Sequence, residues 1–62
     1  MKRKEKKQLA EKIAKYERIV QSSDDEKEIK EAQNKILELS SHVDNIEDIM
    51  EIDEMVQDLL GT

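Results

Sequence analysis

Residues 39–49 read LSSHVDNIEDI, and whether the backbone turns inside them decides the architecture. Ile29, Ala32, Ile36, Leu39, Val43, Ile46 and Met50 follow a 3-4-3-4-3-4 spacing that carries one helical stripe straight through the stretch. Two features oppose a continuous helix. Ser40, Ser41, His42, Val43, Asp44 and Asn45 are consecutive residues of poor helix propensity. Beyond them the apolar stripe changes phase: extending the heptad puts Asp53 and Gln57 inside, whereas the apolar residues are Ile49, Ile52, Val56 and Leu59, with Met55 and Leu60 alongside. Asp44 or Ser41 is available to cap a new helix, with Glu47 three residues after Asp44. A phase change also occurs within continuous coiled coils, so a hairpin remains the alternative.

Upstream the punctuation is plainer. Leu9, Ile13, Tyr16 and Val20 lie along one stripe, spaced 4-3-4, with Ala10, Ala14 and Ile19 beside it. That first helix is expected to end near Gln21. In QSSDDEKEIKE (21–31), Ser23 stands three residues before Glu26, the spacing of a capping box. Asp24, Asp25 and Glu26 suit the positive end of a helix dipole. The spacing predicts an all-α fold, a small three-helix bundle with helices over about 3–21, 24–40 and 45–60 of a single domain, 1–62. The alternative is a helical hairpin with one long arm, assembling as a dimeric coiled coil.

Size and composition narrow the function. Sixty-two residues are near the lower limit for a chain that folds alone, and there is no cysteine to reinforce a small core. The apolar residues are aliphatic, with Tyr16 the single aromatic. Burial against a second copy or a partner would widen a thin margin, so a homo-oligomer is expected. Charged residues make up 44% of the chain, but the apolar ones are periodic rather than scattered, which argues for helices over disorder. No apolar run is long enough to span a membrane, and the basic start has no apolar stretch behind it to make a signal peptide. A cytoplasmic location is the default expectation.

The charge is graded along the chain. Residues 1–15 carry seven basic and two acidic side chains, whereas residues 39–62 carry seven acidic and none that is basic. This runs against the helix dipole at both ends, and Glu47–Glu51 and Glu54–Asp58 are like-charge i,i+4 pairs. Up-down-up topology places the first and third helices parallel, so the basic start falls beside Asp44, Glu47 and Asp48. The gradient can therefore be neutralised within one bundle, or between two chains.

Catalysis has little to work with. No nucleophile–base–orienter set is legible, no glycine loop can cradle phosphate, and the serines at 22, 23, 40 and 41 are better explained as caps. An enzyme is not expected, nor is a cofactor. Asp44, Asp48 and Asp53 lack the spacing and glycine of an EF-hand, and His42 stands alone at a presumed helix end, so no metal site is expected.

Two binding surfaces remain. VDNIEDIMEIDEMVQDLLGT (43–62) carries overlapping apolar triplets: Ile46/Ile49/Met50, Ile52/Met55/Val56 and Val56/Leu59/Leu60. Any core-facing helix shows this spacing, but acidic amphipathic helices also dock into partner grooves in this way, and methionine suits an adaptable contact. Candidate partner-binding residues are thus Ile49, Met50, Ile52, Met55, Val56, Leu59 and Leu60, flanked by Glu51 and Asp58. The rival is nucleic-acid binding, with phosphate contacts from Lys2, Arg3, Lys4, Lys6 and Lys7. It lacks interleaved aromatics for stacking and sits in an acidic chain. Carboxylates along a rod can also imitate a DNA backbone, an unspecific reading. The expectation is a non-enzymatic protein–protein interaction module, a small regulator, inhibitor or assembly component.

Overall fold

The chain turns twice, at the first Ser-Ser pair and directly after the second. The computed structural model describes residues 1–61 and contains α1 (Arg3–Ser22), α2 (Glu26–Ser41) and α3 (Ile46–Leu59). Both α2 and α3 pack on α1 and hardly touch one another, so α1 is the spine of a three-helix bundle. Arg18 near the end of α1 reaches Leu59 near the end of α3, and Lys6 reaches Asp48 and Glu51 near its start. These two helices therefore run parallel. Tyr16 on α1 lies beside both Ala32 and Leu39, while Ile19 sits with Glu28 and Lys12 with Glu38, so α2 runs antiparallel to α1.

The caps differ from those the sequence suggested. At the first turn Asp25, not Ser23, caps α2: its backbone is extended and its carboxylate accepts from the Lys27 N–H at 3.0 Å. Ser23 instead ends α1, donating its N–H to the Ile19 carbonyl at 2.8 Å, and its hydroxyl accepts from the Asp25 N–H at 3.2 Å and bonds Glu28. Consequently α2 starts at Glu26 rather than 24. At the second turn the cap is Asn45, not Asp44 or Ser41; Asn45 Oδ1 accepts from the Glu47 N–H at 2.8 Å. Several side chains in each turn are chemically able to cap. The one used is the last residue with extended backbone before the helix.

His42 forms the C-terminal cap of α2, and the Val43 N–H then bonds the Ser40 carbonyl at 3.1 Å. That turn drops Val43 into the core, which it shares with Ala10, Ile13, Ala14, Ile52 and Val56. Gly61 closes α3 at φ +84°, the left-handed conformation that favours glycine after a helix, with its N–H on the Asp58 carbonyl at 3.2 Å.

The break also explains the change of phase. Ile52 and Val56 face α1 and are buried, whereas Ile46 and Met50, which continue the α2 heptad, are 72% and 65% exposed. Asp53 and Gln57, next on that same line, stand at an opening between α2 and α3. One helix thus carries two stripes, one covered by α1 and one left outside.

Candidate functional site

The opening is a cleft of about 110 Å³ running between α2 and α3. It exists because both helices pack on α1 and not on each other. Leu9, Ile13 and Glu17 of α1 form its floor. Ile36 and Ser40 of α2 make one wall, and Ile49 and Asp53 of α3 the other. Helical spacing carries the apolar surface outward from each wall. Leu37, 69% exposed, lies beside Ile36 and three residues before Ser40; Ile46 and Met50 lie three residues before Ile49 and Asp53.

The opposite side of α3, toward α1, is closed by charge. Lys6 forms ion pairs with Glu51 and, at 3.5 Å, with Asp48, and the Met1 ammonium lies 3.6 Å from Asp48. The Glu51 hydrogen bond, reinforced by the charges of Glu51 and Asp48 and opposed by desolvation, holds the Lys6 ammonium above its usual value. At the other end Arg18 donates to the Leu59 carbonyl at 2.8 Å. It supplies the cation that α3 lacks in its own last turn.

In the cleft, by contrast, Glu17 and Asp53 have no ionic partner among the described residues, and no lysine or arginine lines the walls. No protein-family model, no curated protein and no solved structure matches this chain. Its function has to be argued from the site itself.

The candidate binding residues divide into three groups. Ile52 and Val56 belong to the chain's own core. Met55 and Leu60 are half-buried against it. Ile49, Met50 and Leu59 remain exposed, at 40%, 65% and 37%. Of the two flanking carboxylates, Glu51 is engaged by Lys6, and Asp58 is exposed. Among the basic residues, Lys6 is committed to α3, whereas Lys2, Arg3, Lys4 and Lys7 are exposed and their side chains form no ion pair among the described residues.

Leu37, Ile46 and Glu17 were not singled out as site residues from the sequence. Leu37 carries a usable signal, as a large apolar residue off the α2 stripe. Ile46 stands in the first apolar triplet of the sequence, although the heptad that runs on from α2 places it, like Met50, inside. Among the described residues no cluster of three or more His, Asp or Glu side chains could hold a metal ion, and no helix is long and apolar enough to cross a membrane.

Proposed function

We propose that this chain is a non-enzymatic protein-interaction module whose contact surface is the exposed apolar edge of α3 together with the cleft beside it. The observation that carries this is the position of Ile46, Ile49 and Met50. Three adjoining large aliphatic side chains stand uncovered on a helix that already has a buried face of its own. Scattered exposed aliphatics need no explanation, but clustered ones beside a groove mark contact sites. An adaptable methionine at the rim suits a surface that closes over another chain. A regulator, inhibitor or assembly component works through a surface of this kind.

The test is capture of a partner by the immobilised chain, followed by rebinding with the purified partner. Ile49→Glu with Met50→Glu is expected to weaken rebinding at least tenfold, because it places charge where apolar surface is covered. Reversing Lys2, Arg3, Lys4 and Lys7 to Glu is expected to leave it within about twofold. The opposite pattern would reject the reading.

That opposite pattern is what the second reading predicts. The free cations at Lys2, Arg3, Lys4 and Lys7 favour phosphate contacts. A nucleic-acid binder would show affinity for DNA or RNA that falls steeply as salt is raised.

A further inference from the structure

We propose that the cleft between α2 and α3 is the seat of a basic amphipathic helix from another protein, which docks as the fourth helix of the bundle. This rests on the docking reading above and names the chemistry of the occupant. The shape asks for a helix. Two helices flank a third without meeting each other, and α2 and α3, at 16 and 14 residues, offer walls of about 20–25 Å. An occupant of about fourteen residues would run their length. The volume of about 110 Å³ is somewhat less than that of an apolar cavity that holds a benzene, roughly 150 Å³. It accepts a large aliphatic anchor at its deepest point, over Leu9 and Ile13.

Charge selects the class of helix. Both carboxylates on the lining, Glu17 and Asp53, lack an ionic partner among the described residues, and α3 has no basic residue to offset them. An acidic helix laid there would face like charge at short range, whereas lysine or arginine flanking an aliphatic stripe would meet both carboxylates.

The same reasoning disfavours a second copy of this chain. Two copies joined through this face would bring α3 against α3, and residues 39–62 carry seven acidic and no basic side chains. The chain's own basic surface on α1 cannot fill the cleft either. α1 has no exposed large apolar residue: Met1 precedes it, and the others are on α2 and α3.

The experiment titrates the full-length isotope-labelled chain with three synthetic 14-residue helical peptides. They share one leucine stripe and carry lysine, glutamine or glutamate on the remaining face. The lysine peptide is expected to bind and to shift the resonances of Leu9, Ile36 and Ile49, with the glutamate peptide at least tenfold weaker and the glutamine peptide between them. Asp53→Lys, an exposed position whose fold is checked by circular dichroism, is expected to weaken the lysine peptide about fivefold. Glu38→Lys makes the same charge change outside the cleft and is expected to cost less than twofold, since screening confines exposed charges to within about 8 Å.

Equal losses from the two substitutions would show bulk attraction and overturn the proposal. So would equal binding of the three peptides, shifts that avoid the cleft, or no binding at all. Sedimentation showing a dimer whose interface covers Ile36 and Ile49 would overturn it in favour of a second copy. If peptides fail while the captured partner still depends on Ile49 and Met50, the docking reading survives and the basic-helix occupant alone is rejected.

Discussion

The two sides of α3 differ in one respect that accounts for much of the molecule. On the side facing α1, opposite charge is used at both ends: Lys6 takes Asp48 and Glu51 at one, and Arg18 donates to the Leu59 carbonyl at the other. On the side facing α2 there is no cation to meet Asp53, and the helices stand apart over a cleft. The acidic third helix is thus fastened by the basic first helix and by nothing else of comparable polarity. The charge gradient along the sequence helps to select which pair closes and which stays open.

The strongest attack on that contrast is to remove a side chain from each side. Ile52→Ala takes volume from the α1-facing core, where the residue is 4% exposed, and is expected to cost about 2–4 kcal/mol in urea unfolding. For a domain this small, with roughly 3–9 kcal/mol in all, that approaches loss of the fold. Ile49→Ala at the cleft is expected to cost under about 1 kcal/mol, because its side chain is already partly in water. Similar losses at the two positions would mean that the cleft side is as tightly held as the α1 side.

A second substitution sharpens the question of what aims α3 at α1. Asn45→Ala removes the side chain that accepts from Glu47 N–H and is expected to cost about 1 kcal/mol. Asp44→Ala beside it is expected to cost no more than a few tenths. The reverse order would make Asp44 the residue that starts the helix.

A third tests the fastening at the far end. Arg18→Gln leaves the Leu59 carbonyl without its cation and is expected to cost about 0.5 kcal/mol, reduced because the contact is exposed to solvent. The loss should concentrate in faster amide exchange over residues 56–60. Uniform change across all three helices would assign Arg18 a packing role instead.

These residues also show what could be read in advance. The three-helix fold was legible because residues 40–45 combine poor helix propensity with a change of apolar phase, two signals that together favour a break over the continuous arm of a hairpin. The caps were misplaced, Ser23 for Asp25 and Asp44 or Ser41 for Asn45, because these side chains are near-equivalent in capping chemistry. The choice among them follows from which residue keeps an extended backbone directly before the helix, Asp25 at the first turn and Asn45 at the second. The neutralisation of Asp48 by the basic start was legible from topology. The service of Arg18 to a helix end 41 residues away was not. In the candidate site, Ile49 and Met50 were identified from their spacing together with Ile52 and Val56, because periodicity reports a face of a helix and not which neighbour covers it. The separation of covered from uncovered stripe exists only once α2 and α3 have both settled on α1.

The smallest expected effect concerns the other end of the α1–α3 contact and is read through pH. In the fold the Lys6 ammonium is held above the ordinary lysine value of 10.5, first by its hydrogen bond to Glu51 and then by the charges of Glu51 and Asp48, with burial pulling the other way. A group whose affinity for its proton is higher folded than unfolded contributes stability that is complete below the unfolded value and is lost as pH rises through the folded one. Both values lie on the alkaline side, so this contribution is constant near neutrality and fades above about pH 10.4. The informative quantity is the difference between wild type and Lys6→Met. Methionine keeps an unbranched stem and removes the charge. The gap between their urea midpoints is expected to narrow as pH is raised from about 8 to about 11.5. No gap at either pH would show that Lys6 fastens α3 by covering apolar surface with its stem, which methionine keeps. The contrast between the two sides of α3 would then rest on packing rather than on charge.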